Sequence, residues 1–381
     1  MANIARIPIT NVFMGGDYTG VIQVGPGQKP LNVILDTGSS ALALDGRKYQ
    51  PNLDGGDTTT HLAQTDAYGD GSTWTGAVIK STVLIGGGAS SISLPNANVA
   101  VAYQASADMF QQADGILGLA YAPLDDAYTM PQDTWTHQYT SNEVRTGQQS
   151  DLAPYLTQLS DDLGVTSDRI AFLTHRSFIH VGGRDPASDP LNQGVMIVGG
   201  GEEATDLYTG PFQTVKVLSD DWYSTNLKHI IVGNTSPIAA RLKGPMGMPS
   251  NSIIDSGTNS LNLSPQLLHA LISKFSAPQQ ALLKQSITGG QLVDAGQLDL
   301  ANWPTITFVL QGETGDVSLN VAPTDYWQVN TQNVGAAAAA ITEGQAGMAI
   351  LGLPIMNGYF VIFDGEADGG KGAVMFAAKA S

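Results

Sequence analysis

Val33-Ile34-Leu35-Asp36-Thr37-Gly38-Ser39 and Ser252-Ile253-Ile254-Asp255-Ser256-Gly257-Thr258 are two versions of one pattern. In each, apolar residues lead into an aspartate, a hydroxyl residue, a glycine and a second hydroxyl residue. A second motif follows each one: Asp114-Gly115-Ile116-Leu117-Gly118-Leu119 after the first, and Ala349-Ile350-Leu351-Gly352-Leu353 after the second. The separation is 82 residues from Asp36 to Gly118 and 97 from Asp255 to Gly352. A lone Asp-Thr-Gly is most often a turn with the aspartate as a cap. Two motifs repeated in the same order read instead as an internal duplication, which predicts two similar β lobes about a rough twofold axis.

The rest of the chain is punctuated like a β protein. Short apolar and β-branched runs at residues 21–24, 32–35, 77–85, 98–101, 194–198, 214–217, 305–310 and 359–363 are bounded by Gly, Pro, Asn and Asp. Helical periodicity is sparse. Residues 151–163 place Leu152, Tyr155, Leu156, Leu159 and Leu163 on one face; residues 265–274 do so with Leu267, Leu268, Leu271 and Ile272. Ser264 and Pro265 supply an N-cap and a first helical position for the second. The fold class expected is all-β, mostly strand with a few short helices, in two lobes with a cleft between them. The polar, proline-bearing segment 183–194 reads as their connection, giving lobes at 1–190 and 191–381. Residues 122–150, 236–249 and 328–347 read as surface loops, and the alanine run 336–340 favours a short helix on propensity.

Composition narrows the function. The 381 residues carry 34 acidic and 17 basic side chains, a net charge of −17, which repels phosphate backbones and argues against nucleic-acid binding. Near pH 4 such a chain sheds much of this charge, which suits work in acid. Without cysteine there is no disulfide, thiolate nucleophile or cysteine-ligated metal. No apolar run reaches membrane-spanning length. The start, MANIARIPITN, lacks the pattern of a signal peptide, so a cytoplasmic setting is expected, or a secreted or periplasmic one if the chain is trimmed.

The chemistry lies in the duplicated loops. An apolar strand holds each carboxylate, and the glycine lets another backbone come close. A twofold axis would bring Asp36 and Asp255 together. At roughly 3 Å and an effective dielectric near 20, their repulsion is about 5–6 kcal/mol. That is about four pKa units, so one proton stays on the pair over a wide acidic range. One carboxylate can then take a proton from water while the other donates to a carbonyl oxygen. Ser39 and Thr258 are placed to hydrogen-bond the outer carboxylate oxygens, and Thr37 and Ser256 to brace the loops from behind. No metal or other cofactor is called for. The six histidines have no metal-ligand spacing, Gly86-Gly87-Gly88 and Gly199-Gly200-Gly201 read as hairpin turns, and no Gly-x-Ser-x-Gly elbow occurs.

These motifs resemble the pepsin-like aspartic peptidases over nearly the whole chain. Residues 35–40 and 254–258 look like the two active-site loops, 114–121 and 350–353 like the apolar segments behind them, and Tyr68-Gly69-Asp70-Gly71-Ser72 like the tip of the flap. Residues 195–210, 222–224 and 303–308 are also family-like. The resemblance implies a bilobal pepsin-like fold. It implies an aspartic endopeptidase that takes polypeptide substrates with bulky apolar residues at the cut, sensitive to pepstatin and monomeric. It also implies that Tyr68 and the backbone of Gly69, Asp70 and Gly71 cover the substrate, and that Ile116 lines the pocket before the cut. The alternative is a non-catalytic peptide- or protein-binding member of the same fold. The chain departs from the pattern in lacking disulfides, a prosegment and the tryptophan that usually follows the first loop, where Ala41-Leu42-Ala43-Leu44 stands. The first two absences are similar to those of bacterial and cytosolic homologues. Trp74, in the same hairpin, offers a substitute partner for Tyr68, although its expected place is the surface or the hairpin packing.

Overall fold

The structure, a computed structural model, describes residues 4–87, 91–163, 167–183, 185–242, 244 and 250–380. The first duplicated motif enters the fold as strand Lys29–Asp36, which runs parallel to Gly115–Gly118 with Val33 opposite Gly115 and Asp36 opposite Gly118. Strand Leu42–Asp45 lies antiparallel on the other side of Gly115–Gly118. The second half repeats this arrangement. Ser252–Ile254 is parallel to Ala349–Leu351, and Leu261–Leu263 lies antiparallel on its far side. In each half the chain leaves the aspartate strand, turns, and comes back past a strand inserted between the two. Gly118 and Gly352 are needed where the turn crosses that inserted strand. A methyl on Gly118 would lie 2.4 Å from the Ser40 carbonyl carbon, and one on Gly352 2.1 Å from the Thr258 carbonyl oxygen, so only glycine fits.

Around these crossings the protein is mostly β. Hairpin Thr58–Ala67 and Thr73–Ile85 stands beside Ile92–Ala105, and every predicted run lies within an observed strand or within one residue of it. The two halves also share a sheet. Ala5–Met14 pairs with Gln193–Val198, which pairs with Arg169–Leu173, which pairs with Tyr359–Asp364. Beneath it, Phe172 and Phe363 meet edge to face at 5.9 Å, and Phe363 meets Tyr223 at 4.7 Å. Burying each such ring contributes about 2–3 kcal/mol. No helix among the described residues is long and apolar enough to cross a membrane.

Helix Pro265–Ile272 forms as expected, its first turn capped by Ser264, whose hydroxyl accepts from the Leu267 amide. The other helix is shorter than the periodicity suggests. It runs over Tyr155–Leu163, because residues 148–151 form a strand paired with Asp126–Thr129. The Leu163 side chain lies outside the described residues.

Several expectations are overturned. The alanine run is a strand, Ala336–Ala339, paired with Trp327–Val329 and Val293–Asp294. Its small side chains fit between helix Ala277–Ile287 and the core, and packing outweighs an alanine preference of a few tenths of a kcal/mol. Segments 122–150 and 328–347 are not bare loops: they hold strands Asp126–Thr129, Gln148–Asp151 and Ile341–Glu343 and helix Ser141–Val144. Segment 236–249 holds a short strand, Ile238–Ala239, with residues 243 and 245–249 outside the described residues. The glycines at 199–201 do not close a hairpin, because the flanking strands Gln193–Val198 and Tyr208–Lys216 pair with different partners. The run at 86–88 lies between strands that do pair, Ile85 opposite Ile92, although Gly88 is outside the described residues. Helix Ala277–Ile287 had no signal in the apolar spacing, since only Leu283 on it is buried.

Candidate active site

The two crossings place Asp36 and Asp255 at the ends of their strands, facing each other's loops. Each carboxylate is held the same way. Asp36 accepts from the Gly38 amide at 2.8 Å and the Ser39 hydroxyl at 2.5 Å. Asp255 accepts from the Gly257 amide at 2.9 Å and the Thr258 hydroxyl at 2.6 Å. Behind them Thr37 and Ser256 lock the loops to each other. The Ser256 amide donates to Thr37 Oγ1 at 2.8 Å, and the Thr37 amide to Ser256 Oγ at 3.0 Å. Each hydroxyl then donates across to the opposite strand, Ser256 to the Leu35 carbonyl at 2.8 Å and Thr37 to the Ile254 carbonyl at 3.3 Å.

The loop glycines report how close the two halves come. A Cβ on Gly257 would lie 2.3 Å from Asp36 Oδ1, and one on Gly38 2.8 Å from Asp255 Oδ1. Each glycine therefore packs on the other loop's carboxylate. Both aspartates are buried, 6% and 7% exposed. Burial raises both above the usual carboxylate range; for Asp36 the charge of Asp255 adds to it, and for Asp255 the bonds from Thr258 and Gly257 oppose it. The pair keeps a proton that two solvated carboxylates would release.

A third carboxylate, missed in the sequence, shares this field. Asp17 opens strand Asp17–Val24, and its Oδ1 is buried without a hydrogen-bond partner. Burial raises it well above the usual range, and the charges of Asp255, Asp36 and Asp70 add to the shift. Burial likewise lifts Asp125 to about 7, and Asp168 and Asp325 to about 6. A carboxyl raised in the folded state binds its proton more tightly there than when unfolded. Its stabilising contribution is complete below the unfolded value near 4 and is lost as pH rises through the folded value. Asp45, Asp133 and Asp189 are shifted the other way by their hydrogen bonds, against burial, and lose their contributions below about pH 4. The expected result is a stability maximum near pH 4–5 and a melting temperature about 5–10 °C lower at pH 8. Calorimetry across this range checks it; a melting temperature that climbs from pH 5 to pH 8 contradicts it.

The flap hairpin, Thr58–Ala67 and Thr73–Ile85, brings Tyr68 near enough for the charge of Asp36 to act on it. Its tip turns with the Gly71 amide donating to the Tyr68 carbonyl at 2.9 Å, and Gly71 takes φ +88°, where glycine is favoured. Gly69, Asp70 and Gly71 are exposed, and Asp70 accepts from the Ser72 amide and hydroxyl at 2.8 and 2.7 Å. Tyr68 is half-buried, and burial followed by the charges of Asp66 and Asp36 pushes its hydroxyl up. Ile116 lies beneath in a buried cluster with Ile34, Ala41, Trp74, Met109 and Phe110, against which Tyr68 packs.

Trp74 is neither at the surface nor a mere packing residue of the hairpin. It is 1% exposed, and its indole donates to the Tyr68 hydroxyl at 3.3 Å. Strand register explains this, since Trp74 faces Asp66 across the hairpin and points inward below the tip. Ala41–Leu44 has no side-chain donor to offer Tyr68, and Trp74 supplies one from within the flap. Trp74→Phe keeps the ring and removes the donor, so kcat/KM should fall about five- to tenfold with little change in melting temperature. Unchanged kinetics would show that the bond does not hold the flap.

Among the described residues no three His, Asp or Glu side chains converge as metal ligands would. His180 instead pairs with Asp189 at 2.6 Å.

A family model described as eukaryotic aspartyl protease matches residues 17–139 and 187–375. Over 369 residues the chain is 24% identical to a gastricsin of Mus musculus, covering 92% of this chain and 79% of that one. It is 25% identical over 394 residues to a β-secretase of Strongylocentrotus purpuratus, covering 92% and 65%. Over a shorter stretch of 133 residues it is 33% identical to aspartic protease 6 of Caenorhabditis elegans, covering 32% of this chain and 34% of that one.

Proposed function

Since this chain belongs to the pepsin-like eukaryotic aspartyl protease family, we propose that it is an endopeptidase that hydrolyses peptide bonds with water activated between Asp36 and Asp255. The observation that carries this reading is the reciprocal packing of two buried carboxylates, each held by an amide and a hydroxyl and each lying against the other's glycine. In the singly protonated pair, the ionised carboxylate takes a proton from water while the protonated one donates to the carbonyl oxygen of the substrate. The tetrahedral species then collapses, its C–N bond breaks, and the pair returns a proton to the leaving nitrogen. Activity needs one proton on the pair, so it falls away in strong acid, where both are protonated, and in base, where neither is. The substrate is an extended peptide lying beneath the flap. With Ile116 at the pocket wall and half-buried Tyr68 above it, a bulky apolar side chain is the one favoured beside the cut.

A fluorogenic peptide with bulky apolar residues flanking the cut, assayed near pH 4 with and without pepstatin, tests the proposal. Turnover that pepstatin blocks is the expected result. Folded protein without turnover would overturn it, and tight pepstatin binding without cleavage would point to a non-catalytic binder.

A further inference from the structure

The bonds to the side chains of Asp36 and Asp255 match one for one, but the loops around them do not: the Asp36 carbonyl accepts from the Leu119 amide where the Leu353 amide donates to Thr258, and the Gly38 carbonyl takes a side-chain donor. The indole of Trp222 donates to the Gly38 carbonyl at 2.9 Å, across 184 residues of sequence. Among the described residues no other donor reaches that oxygen, and the corresponding carbonyl of Gly257 accepts none. Trp222 sits in a turn fixed to the opposite carboxylate. The Tyr223 carbonyl accepts from the Ile254 amide at 3.2 Å, one residue before Asp255, and Ser224 pairs with Ile253. Buried Tyr223 anchors the turn against Tyr121 and Phe363, with ring centroids 4.9 and 4.7 Å away.

We infer that Trp222 is a positioning residue for the catalytic pair: its indole ties the Asp36 loop to the Asp255 strand and makes the two carboxylates inequivalent. The tie acts on the two residues that hold Asp36. Gly38 and Ser39 both donate to that carboxylate, and the Trp222 bond fixes the peptide unit joining them. Thr37 and Ser256 brace the loops symmetrically and cannot tell the carboxylates apart. A donor on one loop alone restrains Asp36 and leaves Asp255 freer, the condition for one member to retain the proton and the other to act as base.

The inference rests on the peptidase reading for its kinetic effect but not for its structural one, so two measurements separate the two. Trp222→Phe keeps the aromatic ring and removes the N–H. It should lower kcat about tenfold with KM within about twofold, and move the two limbs of the pH–kcat profile relative to each other. Independently of any activity, the Trp222 indole resonance of 15N-labelled wild-type protein, assigned by its loss in Trp222→Phe, should shift between about pH 3 and pH 8 as the pair titrates. That shift should vanish in Asp36→Asn. A pH-independent Trp222 resonance overturns the inference even in a protein that cleaves nothing. Unchanged limbs and kcat in Trp222→Phe overturn it in an active one.

Discussion

Asp36→Asn and Asp255→Asn should each lower kcat/KM by about 10³–10⁴-fold while leaving the fold intact, and should not lower the melting temperature at pH 7. On the proposed mechanism each substitution removes one half of an acid–base pair that shares a proton, and such catalysis contributes about 10²–10⁴-fold. Asparagine has the shape of a protonated carboxyl. Its oxygen can still accept from the Gly38 or Gly257 amide, so the loop stays in place. The stability prediction follows from the raised pKa of both groups, whose causes begin with burial. A raised carboxyl costs stability as pH climbs above its unfolded value, and an amide at the same place does not titrate. Kinetics and melting curves of the two variants at pH 4 and pH 7 decide the matter. More than about 1% residual activity in either would remove that aspartate from the mechanism. A large drop in melting temperature at both pH values would make the loss structural.

Gly257→Ala should cost at least about 100-fold in kcat/KM, and more than Gly38→Ala. The new methyl would come 2.3 Å from Asp36 Oδ1 and 2.7 Å from its Cγ, whereas on Gly38 it would come 2.8 Å from Asp255 Oδ1. Asp36 cannot simply rotate away, because Gly38 and Ser39 hold its two oxygens and the loop behind is locked to Ser256. The contact is relieved by pushing the carboxylates apart, and a displacement of about 1 Å is enough for a 10²-fold loss. Separation also weakens their mutual repulsion, so the two limbs of the pH–rate profile should draw together. Gly257→Ala with wild-type kinetics would mean that the loops do not meet as described.

Much of the site was legible because its residues are local. Asp36 with Gly38 and Ser39, and Asp255 with Gly257 and Thr258, are neighbours in the chain, so each set of hydrogen bonds is foreshadowed by spacing alone. Trp74 was visible in the flap, but its inward face was not, since the strand register that turns it under Tyr68 depends on the length of the tip. Asp17 carried no local signal, and Trp222 stood only in a family-like stretch, 222–224, with nothing to show its partner. An aspartate after two glycines reads as a turn, and a tryptophan after two aspartates as a surface ring; each gains its role from a loop far away in sequence.

The sequence alone determined the duplication, the β character and the identity of the paired aspartates, because repeated motifs and strand–turn alternation are short-range properties of the chain. Tertiary structure decided the remainder. It made a strand of an alanine run that prefers helix, because packing against a helix and two neighbouring strands outweighs a propensity of a few tenths of a kcal/mol. It joined the two halves in one sheet through strands Ala5–Met14, Gln193–Val198, Arg169–Leu173 and Tyr359–Asp364. It also brought two carboxylates together where each rests on the other's glycine, and a pKa depends on burial and neighbouring charge, which no stretch of sequence contains.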